Sequence, residues 1–226
     1  MKKYFLLAIS TILLWGCENN PDLSNDVLFE EYYVRYLEAE KELKAYATFL
    51  EGDSLKNAKP KIFFGGVAFQ NSGMEVRNLP KGVVKYRIKN DQVSYNNPFT
   101  FKYRNEEGET VEERLKMKPL GDFFVKDPIS LSKGMTLVIN DGSLSEDEQL
   151  ILLFSDEKNR AFSIPIMGPT DQIAYGLTSD QIKNLSEGKG QLYLVKKQNK
   201  LREENNRIIS SNIEFYSKTL EIYIEK

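Results

Sequence analysis

The sequence contains no histidine and only one cysteine, Cys17, among its 226 residues. Without histidine there can be no Ser-His-Asp triad and no Cys-His dyad. Zinc and iron sites that depend on histidine ligands are excluded for the same reason. A single thiol cannot form an internal disulfide or a thiolate metal cluster. We therefore expect no catalytic residue of these classes, no metal site and no cofactor.

The chain also lacks an excess of basic residues, since 31 Lys and Arg face 33 Asp and Glu and give a net charge of −2. No P-loop, no GxGxxG motif and no RNP-like aromatic motif is present. A nucleic-acid partner is therefore not expected. Hydrophobic residues make up 41% and charged residues 28% of the chain, which is typical of a soluble globular body.

Long apolar runs are absent as well, and the most apolar segment is short and lies at the start. Two lysines, Lys2 and Lys3, precede the twelve-residue run YFLLAISTILLW at 4–15. A helix needs about 20 residues to span the hydrocarbon core of a bilayer, so this run is too short. A basic start followed by a short apolar run predicts a secretory signal peptide.

The sole cysteine closes that run in the sequence Leu14-Trp15-Gly16-Cys17. The pattern resembles the lipobox of bacterial lipoproteins, although a small residue is commoner at the position of Trp15. The resemblance implies a signal peptide at 1–16, cleavage between Gly16 and Cys17, and acyl chains on Cys17 that bind the lipid bilayer. It implies a location in the bacterial cell envelope, with the outer membrane favoured and the membrane face open. The alternative is an unmodified cysteine after an ordinary signal.

A polar segment and then a periodic one follow the cysteine. The segment ENNPDLSN at 18–25 predicts a flexible spacer, so 17–25 is interpreted as a lipidated tether. From Asp26, a candidate N-cap, to Gly52, a candidate C-cap, apolar residues recur at spacings of three and four. This periodicity predicts one long amphipathic α-helix over 26–52. Its apolar stripe comprises Phe29, Tyr32, Tyr33, Tyr36, Ala39, Leu43, Tyr46 and Leu50.

The apolar stripe has two interpretations. It packs against the protein's own sheet, or it binds a partner helix or forms a stalk above the membrane. Tyr32, Tyr33 and Tyr36 are the candidate interaction residues, because tyrosine suits a partly hydrated interface.

The remainder of the chain alternates apolar and polar residues with a period of two. The segments VVKYRIK at 83–89 and FTFKYR at 99–104 show this pattern, and a hairpin is predicted over 98–118. Pro165 inside AFSIPIM predicts an edge strand or a bulge. The fold class is therefore mainly β, with one or two antiparallel sandwich domains, at 60–127 and 128–226. NLPKGVVKY at 78–86 and NLSEGKGQLY at 184–193 loosely resemble the corner of Ig-like and fibronectin-like domains.

With histidine and cysteine chemistry excluded, carboxylates are the remaining candidates for catalytic residues. Glu113 alternates in phase with Val111 and Leu115, so it is expected to point inward, either as a salt-bridged strand residue or as a functional carboxylate. The favoured function is a membrane-anchored lipoprotein whose non-catalytic body binds an envelope protein or glycan. The alternative is a glycan-active hydrolase, which needs two carboxylates facing each other across a cleft. A deep cleft favours the enzyme, and a flat tyrosine-rich surface favours the binder.

Overall fold

The computed structural model describes residues 26–158 and 160–226 and is built almost entirely of β-strands. Among these residues there is one short α-helix, α1, which covers Ser179–Ile182 and is capped by the side chain of Thr178, and a 3₁₀ turn covers Pro80–Gly82. The strands are β1 Val27–Leu37, β2 Glu42–Gly52, β3 Lys59–Pro60, β4 Val67–Phe69, β5 Ser72–Gly73, β6 Glu75–Asn78, β7 Val84–Asn90, β8 Phe99–Arg104, β9 Thr110–Leu115, β10 Phe123–Val125, β11 Ile129–Ser130, β12 Met135–Ile139, β13 Glu148–Asp156, β14 Ala161–Met167, β15 Ala174–Leu177, β16 Gly188–Glu204, β17 Arg207–Tyr216 and β18 Leu220–Glu225.

The predicted helix over 26–52 is wrong, because this segment forms the β1–β2 hairpin. Tyr32, Val34 and Tyr36 are buried on one side of β1, and alternate residues of β2 from Leu43 to Phe49 are buried beside them. The chain reverses through residues 38–41, where Lys41 has a positive φ of 52°. Aromatic and β-branched residues favour strands. In β1 and β2 the buried residues alternate with a period of two, and this strand pattern prevails over the helical spacing of three and four.

The β1–β2 hairpin lies in the middle of the largest sheet. Its strand order is β11-β18-β16-β17-β1-β2-β7-β6, with β13 and β14 branching from β16 and β3 paired to β2. Two neighbouring pairs, β1–β17 and β11–β18, are parallel, which differs from the purely antiparallel arrangement expected. The parallel pair β1–β17 joins the two ends of the described chain.

Two smaller sheets accompany the large one. A four-stranded sheet has the order β5-β4-β8-β9, and a three-stranded sheet has the order β10-β12-β15. Aromatic rings join the four-stranded sheet to β1 and β2, with ring centroids 4.7 Å apart for Tyr32 and Phe101 and 5.1 Å apart for Phe49 and Tyr103. One continuous cluster of buried apolar residues includes members of all three sheets.

Several strand predictions are confirmed. The predicted hairpin over 98–118 is the β8–β9 pair. Among the described strands, β14, which contains Pro165, pairs only with β13 and is therefore an edge strand. Alternation identified these elements because each has one face in the core and the other in water.

Strand β16 is 17 residues long and belongs to both parts of the large sheet. Its first part, Gly188–Leu192, pairs with β18, and its second part, Val195–Glu204, pairs with β17. On its other side, β13 pairs with Gly190–Gln198. The division of the body at residue 128 stays a prediction.

The predicted signal peptide, the cleavage site at Gly16 and Cys17, and the tether at 17–25 lie outside the described residues. Among the residues that are described, no helix has the length and apolar character needed to cross a membrane.

A candidate binding face and a buried carboxylate cluster

The outer face of the large sheet carries a row of polar and aromatic side chains that crosses six strands. Each residue of the row is paired with the next one across adjacent strands, from β16 to β6. The row consists of Asn199, Asn212, Tyr33, Tyr46, Arg87 and Glu75. A second row beside it reads Lys197, Glu214, Arg35, Lys44 and Lys89. With strands about 4.8 Å apart, each row extends for about 20–24 Å. We call this surface, with the flanking residues Glu31, Glu42, Arg77 and Lys85, the tyrosine face.

Tyr33 and Tyr46 form the centre of the tyrosine face. Their rings stack with centroids 5.7 Å apart and an interplanar angle of 29°. The Tyr33 hydroxyl donates to Glu214 Oε2 at 2.6 Å, and the Tyr216 hydroxyl donates to the same oxygen at 3.1 Å. Partial burial and the hydrogen bond to the Glu214 carboxylate raise the pKa of Tyr33. The pair is therefore a fixed, neutral aromatic centre on a charged surface.

Basic side chains outnumber acidic ones on this face. Its members include seven Lys and Arg but only four Glu, whereas the whole chain has a net charge of −2. The basic residues are Arg35, Lys44, Arg77, Lys85, Arg87, Lys89 and Lys197, and the acidic ones are Glu31, Glu42, Glu75 and Glu214. The face therefore has a positive balance of charge on an acidic protein.

Two of these cations contact aromatic rings. Lys85 Nζ lies 5.2 Å from the centroid of the Tyr46 ring, and the Arg35 guanidinium lies 5.8 Å from that of Tyr216. Within the described part of the chain, neither cation forms an ion pair with a carboxylate. In contrast, Glu42, Glu75 and Glu214 are each paired with Lys or Arg neighbours. Of the charged groups on this face that have no ion pair within the described residues, Arg35 and Lys85 are cationic and Glu31 is anionic, so the balance left for a ligand is positive by one charge.

The structure separates the three tyrosines that the sequence offered as interaction residues. Tyr32 and Tyr36 are buried in the core, and Tyr33 lies on the outer face. The residues that accompany Tyr33, such as Tyr46 and Arg35, were missed because a helical stripe groups residues that a strand places on opposite faces. Reading 31–37 with a period of two would have separated Tyr33 and Arg35 from their buried neighbours.

Glu30 is a second feature that sequence reasoning missed. Its carboxylate is buried between the sheets and accepts hydrogen bonds from four donors. These are the hydroxyls of Tyr32 and Tyr103 and the Nε and Nη2 atoms of Arg207. Burial, followed by the neighbouring Glu30 carboxylate, raises the pKa of Tyr32 and of Tyr103. These four hydrogen bonds hold the Glu30 carboxylate in place and occupy the lone pairs that it would need to accept a proton from a substrate.

Glu113 lies near Glu30 and points inward, as the alternation of β9 predicted. It is 4% exposed and forms an ion pair with Arg202. Burial raises the pKa of Glu113, an effect that the Glu30 carboxylate reinforces and that Arg202 and Arg207 oppose. A buried acid with a raised pKa is a common property of a general acid, so the space around Glu113 decides whether it could act as one.

The cleft beside Glu113 is small and holds a single carboxylate. Its volume is about 160 Å³, and its charged lining consists of Glu113, Arg114, Lys116, Lys200 and Arg202. Glu30 is not part of the lining. Glycoside hydrolysis needs two carboxylates about 5–9.5 Å apart across a sugar. This cleft offers one carboxylate among four cations.

A larger groove of about 530 Å³ contains Asp156, Glu157 and Glu221. Asp156 is engaged in the fold, because its carboxylate accepts from the backbone N–H groups of Lys158 and Arg160 and pairs with the Arg160 side chain. Burial opposes the ionised form, but these donors outweigh it and hold the pKa of Asp156 below its usual range. Over residues 26–158 and 160–226, no three carboxylates are grouped so that they could hold a metal ion.

No family model and no curated protein matches this chain. A tetra-tandem repeat in the extending region of a large adhesion protein matches 86% of this chain and 50% of its own, at 13% identity and a TM-score of 0.25. The chain thus spans half the length of that structure. Dpr11 IG1 bound to DIP-gamma IG+IG2 matches 87% of this chain and 99% of its own, at 8% identity and a TM-score of 0.19. Similarity this low assigns neither a family nor a function.

Proposed function

We propose that this chain is a lipid-anchored lipoprotein of the bacterial envelope, held in the outer membrane through acylated Cys17. Its non-catalytic body, two Ig-like sandwiches in this proposal, binds an acidic surface of an envelope partner through the tyrosine face. The observation that carries the binding role is the tyrosine face, which combines the stacked Tyr33–Tyr46 pair with two cations, Arg35 and Lys85, that form no ion pair among the described residues. The lipobox-like sequence ending at Cys17 supports the anchor.

The charge balance supports an acidic partner. Complementary potentials across an interface steer association and select against partners of the same sign. Aromatic residues and Arg are also enriched at the centres of protein interfaces. Tyr33, Tyr46, Arg35 and Arg87 provide these residue types on one face of the large sheet.

The geometry favours a protein partner over a sugar. A sugar would stack on a free aromatic face, but Tyr46 is stacked on Tyr33 and has Lys85 Nζ over its ring. The Tyr33 hydroxyl is engaged with Glu214. The face also presents the cationic groups of Arg35 and Lys85, which suit the carboxylates of an acidic protein segment.

The buried carboxylates do not support the hydrolase alternative. Glu30 is bonded to four donors, and the cleft at Glu113 holds no second carboxylate. The ion pair between Arg207 and Glu30 gives Glu30 a structural role instead.

The binding role can be tested with a charge-reversed variant, Arg35→Glu with Lys85→Glu. Poly-L-glutamate serves as the protein-like probe and polygalacturonate as the acidic glycan probe, with binding measured at low and at physiological salt. We expect the wild-type chain to bind poly-L-glutamate in a salt-dependent way, and the variant to lose this binding. The matched control Lys133→Glu with Lys189→Glu changes the net charge equally at exposed positions away from the tyrosine face.

Three results would contradict this role. The control could lose binding as much as the variant does, which would mean that net charge alone drives it. The wild-type chain could bind polygalacturonate and not poly-L-glutamate, which would favour a glycan partner. It could also bind neither probe at low salt.

The anchor is tested separately with Cys17→Ser. We expect the wild-type chain to enter the detergent phase of a phase-separating detergent and the variant to be retained less. The variant has no thiol at position 17 to carry the acyl chains, and stable anchoring needs at least two signals such as two acyl chains. Mass spectrometry of the native chain is expected to show an acylated Cys17 as its first residue. An unmodified thiol in the native protein would contradict the anchor.

A further inference from the structure

We propose that one end of the body, formed by the loops at 53–66 and 79–83, docks onto the lipid bilayer by inserting apolar side chains. We call these two loops the apical loops. This proposal rests on the proposed anchor at Cys17, because it concerns the same membrane. It adds a second, non-covalent contact that fixes which end of the body faces the lipid.

The sheet register places the apical loops at the end where the described chain begins. Val27, the first residue of β1, pairs with Gly52, the last residue of β2, from which the loop at 53–66 departs. Strand β7 runs antiparallel to β2, with Ala47 opposite Tyr86, so its start at Val84 lies at this end as well. The short turn before β7 is closed by a hydrogen bond from Leu79 N to Val83 O at 2.8 Å.

Exposed apolar side chains are concentrated on the apical loops. Eleven large apolar residues are exposed among those described, and five of them belong to these loops. Leu55 is 62% exposed, Ile62 is 54% exposed and Phe64 is fully exposed, and Leu79 and Val83 add to them. Isolated exposed apolar residues are normal on a soluble protein, but a group of them on one surface indicates an interaction site.

Phe64 is held outward by its neighbour. The Phe63 ring is buried and packs against Phe49 and Tyr103, with centroids 4.9 and 4.2 Å apart. The Phe63 backbone N–H donates to the Tyr86 hydroxyl at 3.0 Å, and Gly66 N donates to Phe63 O at 2.9 Å. Because Phe63 is fixed in the core, the adjacent Phe64 side chain is directed into solvent on a rigid support.

The length of chain between the anchor and the body identifies the bilayer as the occupant. Eight residues, 18–25, lie between Cys17 and Asp26, and the nine residue steps at about 3.3 Å each give a full extension of about 30 Å. The end of the body that carries the apical loops is therefore the end tethered nearest to the lipid. An apolar group held at this distance meets the bilayer at a high effective concentration.

The proposed contact depends on apolar insertion more than on charge. Lys56 and Lys59 are exposed within the loop at 53–66, but Asp53 is exposed there too, and Lys61 is paired with Glu51 and Glu106. Local charge is thus mixed. Aromatic and aliphatic side chains on an otherwise polar surface are the groups that enter the boundary between headgroups and acyl chains.

The test uses tryptophan fluorescence of the acylated full chain in vesicles. The only tryptophan, Trp15, lies within the predicted signal peptide, so Phe64→Trp introduces a single reporter into the mature protein. Phe124→Trp is the control, because Phe124 is another exposed phenylalanine, 49% exposed, but lies in the three-stranded sheet. Vesicles of phosphatidylethanolamine and phosphatidylglycerol are prepared with and without bromine on the acyl chains.

We expect a blue-shifted emission and loss of fluorescence with brominated lipid for Phe64→Trp, and neither change for Phe124→Trp. Equal, unshifted emission from both variants would overturn the docking proposal while leaving the anchor intact. A blue shift without quenching by bromine would mean that protein covers the loops, and would overturn it too. Quenching of both variants would contradict this orientation, and a mass spectrum with unmodified Cys17 would overturn both the docking and the proposed anchor.

Discussion

Lys196 and Glu148 form an ion pair in the protein interior, with Lys196 Nζ 3.0 Å from Glu148 Oε2 and side chains that are 1% and 7% exposed. The pair joins β16 to the start of β13. Lys196 Nζ also donates to Ser143 O at 3.3 Å, and Glu148 Oε2 accepts from Ser145 N at 2.8 Å. Burial, followed by the nearby Glu148 carboxylate, raises the pKa of Tyr95. This arrangement fixes the junction between the two parts of the large sheet.

Lys196→Met is expected to lower the free energy of unfolding by about 3–5 kcal/mol, because it leaves the Glu148 charge buried without a partner. Denaturant unfolding measures the change. Lys189→Met, at an exposed position of the same strand, is the control and should change stability little. Adding Glu148→Gln to Lys196→Met should recover much of the loss, since the remaining buried group is then neutral. A double variant no more stable than Lys196→Met would argue against the ion pair as the cause.

Glu30→Gln is expected to destabilise the fold by about 2–3 kcal/mol, because charge-assisted hydrogen bonds from Arg207 and two tyrosines are weakened. Thermal and denaturant unfolding give the comparison. Glu31→Gln is the control, since Glu31 is the adjacent residue on the exposed side of β1. Similar losses for both variants would show that the buried cluster has no special importance for stability.

Glu113→Gln is expected to change the pH dependence of stability. The pKa of Glu113 is raised above its ordinary value of 4.5, with burial as the main cause. A raised pKa means that the folded state binds this proton more tightly than the unfolded state does. The contribution of Glu113 is therefore fully present below about pH 4.5 and is lost as pH rises through its folded pKa.

The glutamine that replaces Glu113 does not titrate, so the variant does not lose free energy of unfolding through this group as pH rises. Its stability relative to the wild type should therefore improve between pH 4 and pH 7. Unfolding measured across this range checks the sign. Glu112→Gln is the control, because Glu112 is the neighbouring residue with a lowered pKa caused by Arg114 and Lys102. A relative stability of Glu113→Gln that falls as pH rises would contradict the raised pKa.

A fragment of residues 60–226 is expected to fail to fold. It lacks β1 and β2, which lie between β17 and β7 in the large sheet. Their removal would expose Phe101, Tyr103 and Ile213, which are buried in the complete body. Near-ultraviolet circular dichroism should show fixed aromatic packing for residues 26–226 and none for 60–226. A fragment that folds with native aromatic signals would restore the view that residues 26–52 form a separate stalk.

The sequence predicted the strands that alternate clearly, and it predicted that Glu113 points inward. It failed at 26–52 because aromatic residues occupy both faces of β1 and β2, so spacings of three and four appeared beside the period of two. The tyrosine face could not be predicted from the sequence for another reason. Its centre depends on the parallel pairing of β1 with β17, which brings Tyr33 to Glu214 across 181 residues. Nothing local in the sequence specifies that pairing.

The position of β1 also has a mechanical consequence. A tether that ends at residue 26 would pull along the axis of β1, whose register with β17 and with β2 continues over ten and eleven residue pairs. The hydrogen bonds on both sides lie across the direction of that load and would have to yield together in shear. A pulling force transmitted from the membrane would then be distributed over the strands of the large sheet. Strand β1 would resist separation from β2 and β17, because its hydrogen bonds would not break one after another.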